Sequence, residues 1–108
     1  MEAFAAGTPA VADNPAASRY ELHVNGELAG FATYHLRGAS ISITHTEIEP
    51  AFQGEHLATQ LARFALDDAR ERGLAVLPYC PYTSAWIRKH PEYADLVPAD
   101  RRAEFGLT

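Results

Sequence analysis

The sequence predicts a single-domain α+β fold in which a three-strand antiparallel meander is followed by a helix, a parallel strand and a second helix. The 108 residues are about what one domain needs. From residue 20 to residue 50 apolar residues alternate with polar ones, as in half-buried strands, and from residue 54 they recur every three or four positions, as in a helix. The change of period divides the chain into a sheet-forming part and a helical part.

Three predicted strands are separated by two turns. The first strand, residues 20–24, alternates apolar and polar side chains and leads to Asn25-Gly26. This dipeptide tolerates the positive φ angles of a two-residue hairpin turn. A second strand at about residues 27–36 leads to a turn at Gly38. The third strand, residues 39–49, is rich in β-branched residues and stops at the following proline.

An amphipathic helix is predicted for residues 54–72. Its apolar positions lie three and four residues apart, and they are Leu57, Ala58, Leu61, Ala62, Ala65, Leu66 and Ala69. Gly73 follows where a left-handed cap residue is favoured. The apolar run at residues 74–79 then predicts a buried strand, parallel to the third strand because a crossover helix precedes it. A second helix is expected from residue 83 or 84 to about residue 89.

The two ends of the chain lack these patterns. Residues 1–17 are rich in alanine, interrupted by glycine and proline, and have no helical or strand period, so we expect a mobile N-terminal arm. Residues 18–98 form the predicted domain. Residues 99–108 are a polar C-terminal tail, either a short helix or a loose segment.

Composition excludes several classes of protein. Fourteen acidic against nine basic residues give a net charge of −5, which argues against a general nucleic-acid binder. No stretch approaches the ~20 apolar residues that span a bilayer. The single cysteine, Cys80, forms no internal disulfide and supplies no thiolate-based metal site, so we expect no bound metal and a reducing, cytoplasmic location.

Candidate chemical groups converge on one edge of the predicted sheet. On the third strand, alternation places His45 and Glu47 on the same face as Ile41 and Ile43, so we expect this face to run from the core into a cleft. Cys80 follows the predicted parallel strand. Ligands collect at the carboxyl ends of parallel strands, and we therefore expect one pocket to hold all three ionisable side chains.

The loop that opens the long helix offers a site for an anion. Residues 50–58 lead into the helix, whose first backbone N–H groups have no intrahelical partner and carry a partial positive charge. A pyrophosphate fits this site. The main alternative is that the glycine in this loop is only a turn residue.

The loop before the long helix contains Gln53, Gly54, His56 and Ala58. With this loop, the chain over about residues 19–98 resembles the small single-domain branch of the GNAT superfamily of acetyl-CoA-dependent N-acetyltransferases. Gln53 and Ala58 match the superfamily's pyrophosphate loop, whereas His56 stands at its glycine position and Gly54 supplies an additional small residue.

Two further motifs carry the resemblance more specifically. A Pro-x-Cys segment follows the long helix as Pro78 to Cys80, and a His-Pro-Glu-Tyr segment stands near the end at residues 90–93. Members of this branch have a compact GNAT-like fold. The resemblance therefore implies the transfer of an acetyl group from acetyl-CoA to an amine.

The resemblance also implies where acetyl-CoA binds. Its pantetheine arm is expected to pair with backbone near Ile48, and its thioester to lie beside Cys80. The expected cofactor-binding residues are Ile48, Gln53, Gly54, Glu55, His56, Leu57, Ala58 and Thr59. We expect His56 to adopt a helical, negative φ angle and to turn its ring outwards.

More than one assignment is open for the catalytic residues. Glu47 is our first choice for the base that removes a proton from the acceptor ammonium, and His45 the second. Cys80 either carries the acetyl group transiently or is a small buried hydrophobic residue. The acceptor is a small amine or a protein lysine, and the negative net charge favours a cationic one only weakly. The alternative function is a non-catalytic acyl-CoA-binding or protein-interaction module. The oligomeric state stays open.

Overall fold

A computed structural model describes residues 9–53 and 56–107. Its strands are β1 (Pro9–Asn14), β2 (Arg19–Val24), β3 (Glu27–Arg37), β4 (Ser40–Ile48) and β5 (Ala75–Pro78), and its α-helices are α1 (Leu57–Glu71) and α2 (Pro81–Lys89). Short 3-10 helices occupy residues 15–17, 50–52, 91–96 and 99–105. The strands form one sheet in chain order, antiparallel from β1 to β4 and parallel between β4 and β5.

The core lies between one face of the sheet and α1. Asn25 and Gly26 have φ angles of 57° and 79°, so the predicted hairpin turn joins β2 to β3. Every predicted apolar position of the long helix is buried except Ala58, which is partly exposed. The predicted meander, crossover helix and parallel strand are confirmed.

Part of the predicted N-terminal arm is a strand, so the expectation of a mobile arm is wrong for residues 9–14. These residues pair with β2 from Pro9 opposite Val24 to Asn14 opposite Arg19. Asp13 accepts a 2.6 Å hydrogen bond from the Tyr34 hydroxyl. An edge strand needs only one partner, and β1 supplies polar anchors instead of an apolar alternation. Residues 1–8 lie outside the described part of the chain.

Three element boundaries differ from the prediction. Helix α1 begins at Leu57 rather than at residue 54, and strand β5 ends at Pro78. Helix α2 begins earlier than expected, at Pro81. Proline is favoured in the first turn of a helix because the N–H it lacks has no intrahelical partner there.

The C-terminal tail packs beside β5 as a short helix, which is one of the two predicted alternatives, the other being a loose segment. Residues 99–105 form a 3-10 helix that buries Phe105. The ring of Phe105 makes an edge-to-face contact with Tyr79, with centroids 5.2 Å apart. Arg88 donates a 3.1 Å hydrogen bond to the Phe105 carbonyl. The tail is therefore part of the packed structure.

The His-Pro-Glu-Tyr segment fastens the end of α2 to α1. His90 Nδ1 donates to the Trp86 carbonyl at 2.8 Å, and the two rings stack with centroids 3.8 Å apart. Tyr93 donates a 2.7 Å hydrogen bond to Asp67 on α1. Within the described residues no helix combines the length and apolar character needed to cross a membrane.

Candidate active site

Strand β4 extends beyond the end of its parallel neighbour β5. The register of β4 with β5 covers Ser40 to Ile43, and Cys80 N extends it with a 2.8 Å hydrogen bond to the Ile43 carbonyl. The chain then turns away into α2. Within the described residues, no strand lies beside the far half of β4, residues 44–48, on its β5 side. A gap in the sheet therefore opens beside Cys80.

A β-bulge in β4 decides which side chains face this gap. Tyr34 pairs with Ile43 and its neighbour Thr33 pairs with His45, so Thr44 is an extra residue in β4. Consecutive residues of β3 point to opposite faces of the sheet, and paired residues share a face. His45 therefore lies on the opposite face from Ile43.

The expectation that His45 and Glu47 share a face with the core residues of β4 is wrong for this reason. Both lie on the outer face, which we define as the face of the sheet turned away from α1. Their side chains are 58% and 51% exposed, and His45 Nε2 lies 3.1 Å from Glu47 Oε1. Glu47 pairs across the strands with Phe31, whose ring centroid lies 6.1 Å from that of His45.

On the other face, a cavity of about 410 Å³ lies between β4, the loop after it and the first turns of both helices. Its lining residues are Thr46, Ile48, Phe52, Gln53, His56, Leu57, Ala58, Thr59 and Tyr82. Six of the eight predicted cofactor-binding residues are among them. The other two, Gly54 and Glu55, lie outside the described residues. The bulge thus brings Thr46 and Ile48 to this cavity instead of His45 and Glu47.

The entry to α1 has a left-handed residue at its N-cap. His56 has a φ angle of 59°, so the expectation of a negative φ angle is wrong. Only glycine adopts such an angle without steric cost. This geometry explains why glycine suits the position. His56 is exposed and lines the cavity. That its ring turns away from a bound pyrophosphate stays a prediction.

Backbone donors at the start of α1 face the cavity without competition from a capping side chain. Among the described residues, helix α1 has no side-chain hydrogen bond at its N-cap His56 and no acidic residue in its first turn. No described side chain therefore caps these N–H groups, which suits an external acceptor. At the side of the cavity, Gln53 Nε2 donates a 3.0 Å hydrogen bond to the Ile48 carbonyl.

The thiol of Cys80 lies at the junction of the gap and the cavity. Cys80 is 4% exposed, and its Sγ lies 3.5 Å from Oγ1 of Thr46. Burial acts to raise the pKa of the thiol. Hydrogen bonds from the Thr46 hydroxyl and from Thr83 and Tyr82 in the first turn of α2 outweigh it, so the Cys80 pKa lies below its ordinary value. A thiol at a helix N-terminus with such donors has enhanced thiolate character.

Sequence reasoning missed three contributors to the site. Thr46 was overlooked because regular alternation placed it on the wrong face, and only the bulge corrects this. Phe52 follows β4 in a short 3-10 helix with no distinctive pattern. Tyr82 has no motif around it that points to a site, and its hydroxyl lies 3.3 Å from Thr59 Oγ1 and links the first turns of the two helices across the cavity.

Solved structures share the fold. The ribosomal-protein-S18-alanine N-acetyltransferase from Escherichia coli is 24% identical with a TM-score of 0.51, over 54% of this chain and 38% of that one. A GCN5-like protein from Staphylococcus aureus is 18% identical with a TM-score of 0.64, over 82% and 86%. N-acetylglutamate synthase from Neisseria gonorrhoeae, solved with coenzyme A and N-acetyl-glutamate, is 21% identical with a TM-score of 0.52, over 82% and 22%.

These likenesses define architecture and not substrate. The present chain spans well under half of the length of the Escherichia coli enzyme it matches. A comparison with curated protein sequences found no match. The sequence model of the family described as GCN5-related N-acetyl-transferase, in contrast, matches residues 19–96, well over half of the chain. The chain therefore belongs to the GCN5-related N-acetyltransferase family.

Proposed function

We propose that this protein transfers the acetyl group of acetyl-CoA to an amine, with coenzyme A on the α1 side of the sheet and the amine on its outer face. The observation that carries the proposal is the gap beside β4. The cavity at the start of α1 lies on one face of this unpaired half of β4, and His45 and Glu47 lie on the other face. Cys80 stands at this gap.

The donors around the cavity fit a diphosphate and an amide-bearing arm. The uncapped first turn of α1 offers backbone N–H groups and the positive end of the helix dipole to the pyrophosphate. We assign this role to residues 53–59. The Ile48 carbonyl is an acceptor for an amide N–H of the pantetheine arm, once Gln53 releases it. Bound acetyl-CoA supplies an activated thioester.

Glu47 is the proposed base for the acceptor. An amine is present largely as ammonium at neutral pH, so its proton must leave before its nitrogen attacks a carbonyl carbon. The exposed carboxylate of Glu47 faces the side from which an acceptor has free access. His45, within hydrogen-bonding distance of Glu47, orients this carboxylate and is the second candidate for the base.

Cys80 offers a covalent route beside direct attack. Its thiolate attacks the acetyl carbonyl carbon, a bond from Cys80 Sγ to the acetyl group forms, and coenzyme A leaves as its thiolate. The amine then attacks the acetylated Cys80, an amide forms, the Cys80 thiolate is regenerated, and Glu47 or His45 takes the proton. The lowered pKa of Cys80 supports this route, because the thiolate is the nucleophilic form.

The second candidate function is an acyl-CoA-binding or interaction module without transfer. One observation favours it: Gln53 already occupies the Ile48 carbonyl, the acceptor expected to pair with the cofactor. Incubation with radiolabelled acetyl-CoA and a panel of amines separates the two functions. Label in an amine supports the transferase, whereas saturable binding of the cofactor without labelled product supports the module.

Substitution of the proposed base tests the mechanism. We expect Glu47→Gln to leave acetyl-CoA affinity unchanged, because Glu47 faces away from the cavity, and to lower the transfer rate by ~10²-fold or more. His45→Ala should cause a smaller loss. Steady-state transfer rates and calorimetric titration with acetyl-CoA provide the two measurements. Equal rates for wild type and both variants would remove these residues from the mechanism.

A further inference from the structure

A second groove lies on the outer face, next to the gap. It encloses about 480 Å³ between the end of β3, the middle of β4 and the residue after β5. Its lining residues are His35, Leu36, Arg37, Ser42, Thr44 and Tyr79. Thr44 is the bulge residue and precedes His45, so the groove begins where the proposed base lies and runs along the sheet towards Arg37.

The charges of the groove differ from those of the whole protein. Arg37 is exposed, and in the part of the chain that the structure describes its guanidinium has no ion pair or hydrogen bond. None of the described side chains that line the groove is a carboxylate. Arg19, also on the sheet, is instead paired with Glu21 at 2.8 Å. The groove therefore complements an anion, although the net charge of the chain is −5.

The groove also has a fixed aromatic wall. Tyr79 is 48% exposed, yet its hydroxyl accepts a 2.9 Å hydrogen bond from Arg101 and its ring packs on Phe105. Tyr79 immediately precedes Cys80. The apolar part of a ligand that extends from the gap towards Arg37 therefore contacts the fixed ring of Tyr79 before it reaches the guanidinium.

The spacing of these features selects a ligand class. Glu47 pairs with Phe31, and Arg37 lies six residues beyond Phe31 on β3. At about 3.3 Å per residue the backbone positions of Glu47 and Arg37 are about 20 Å apart along the sheet, and the long side chains of both residues shorten the span that a ligand must bridge. An amine at Glu47 and an anion at Arg37 must therefore be separated by several bonds.

We propose that the outer groove binds the acceptor, and that the acceptor is an ω-amino acid, in which a flexible apolar chain joins a primary amine to a carboxylate. The inference rests on the proposed acetyl transfer and specifies its second substrate. The amine lies at His45 and Glu47, the chain passes Thr44 and Tyr79, and the carboxylate pairs with Arg37.

A matched pair of acceptors tests the carboxylate. 6-Aminohexanoate and 6-aminohexanamide differ only in the group that would meet Arg37. We expect wild-type kcat/KM to be at least tenfold higher for the carboxylate, mainly through KM, because the contact is made in both ground and transition states. Arg37→Gln should abolish this preference. Lys89→Gln, at the end of α2, removes the same charge outside the groove and should retain it.

A binding measurement separates this inference from the transfer reaction. The protein is titrated with the same two compounds and followed by amide NMR spectra. 6-Aminohexanoate should shift the amide signals of Ser42, Thr44 and Tyr79, and 6-aminohexanamide should bind at least tenfold more weakly. In Arg37→Gln the two compounds should bind with equal affinity. If 6-aminohexanoate binds in this way but is not acetylated, the acetyl-transfer proposal is refuted, and the assignment of the groove as a binding site for ω-amino acids is retained. Transfer or binding that does not distinguish carboxylate from amide, or shifts confined to other surfaces, would overturn the inference.

Discussion

Cys80 combines burial with an unusual number of hydrogen-bond donors. It is the N-cap of α2, and the Thr46 hydroxyl reaches it from the bulged half of β4. A buried thiol without such donors is an inert packing residue. Thr46 therefore supplies one of the hydrogen bonds that lower the Cys80 pKa, and its position beside the thiol depends on one extra residue in β4, Thr44.

Removal of the Thr46 hydroxyl should reduce the reactivity of Cys80. In Thr46→Val the pKa of the thiol rises towards its ordinary value, because a donor to the thiolate is lost. The pH profile of alkylation by iodoacetamide should therefore move to higher pH. Thr44→Val, which changes a hydroxyl on the outer face, serves as the control. An unshifted profile in Thr46→Val would show that the Thr46 hydroxyl does not contribute and that the hydrogen bonds from Thr83 and Tyr82 lower the pKa without it.

The acetylated form of Cys80 is directly observable. Intact-mass measurement after exposure to acetyl-CoA should give one acetyl adduct on the wild type and none on Cys80→Ser. If Cys80→Ser transfers acetyl groups as fast as the wild type, the amine attacks the thioester directly and Cys80 is a packing residue.

His56 carries a backbone cost that glycine avoids. A left-handed φ angle costs a non-glycine residue roughly 1–2 kcal/mol. We expect His56→Gly to be more stable than His56→Ala by about 1 kcal/mol in urea unfolding, since the alanine variant loses the imidazole and keeps the strained angle. Calorimetric titration with coenzyme A should show a modest change for His56→Gly. If wild type shows no binding and the glycine variant does, the imidazole blocks the loop.

At the scale of elements, a polar network fastens β1 and the sheet to α1. Tyr20 donates a 2.7 Å hydrogen bond to Asp68 of α1, and Tyr34 donates to Asp13 of β1. Arg72, which follows α1, lies 2.9 Å from Asp68 and 3.4 Å from Asp13. The network adds to the few apolar contacts of β1, in which Val11 packs against the core.

Ionisation of the Tyr34 hydroxyl at alkaline pH should weaken this network. Burial, together with the hydrogen bond to Asp13, raises the Tyr34 pKa from 10.0 to about 12. A tyrosine whose pKa is higher in the folded than in the unfolded protein stabilises the fold fully at pH values below its unfolded-state pKa. This stabilisation is lost as the pH rises through the folded-state pKa. Tyr34→Phe should therefore cost about 1.5 kcal/mol at pH 8. The difference from wild type in urea unfolding should shrink between pH 10 and 12, and a constant difference would contradict the assignment.

At the scale of the whole molecule, residues 9–14 and 99–105 complete one core from its two sides. Strand β1 extends the sheet at one edge, and the C-terminal 3-10 helix packs beside β5 at the other. Phe105 is buried in this contact and Tyr79 lies against it. The tail thereby supports the aromatic wall of the outer groove.

Truncation of Phe105 tests the contribution of the tail. We expect Phe105→Ala to lower the free energy of unfolding by roughly 3 kcal/mol, the lower range for loss of a buried phenylalanine. Asp100→Asn, on an exposed position of the same 3-10 helix, should change it by no more than about 0.5 kcal/mol. A negligible effect of Phe105→Ala in chemical denaturation would indicate that the tail is dispensable.

Much of the fold follows from local patterns. Residues 25 and 26 define the hairpin, the apolar spacing from residue 57 to residue 69 defines α1, and Gly73 ends the helical segment. Each of these signals acts through contacts within a few residues. The loop that precedes α1 and the position of Cys80 after β5 were predictable for the same reason, because both are neighbours of well-defined elements.

Sequence alone determined the order of the central strands and helices, and the residues that gather at the start of α1. Only the tertiary structure decided that residues 9–14 form an edge strand, that His56 is left-handed, and that Thr44 is a bulge which moves His45 and Glu47 to the outer face. These features arise from pairing between segments distant in sequence. A one-residue change of register exchanges the faces of a strand without altering its local pattern, so alternation alone does not reveal it.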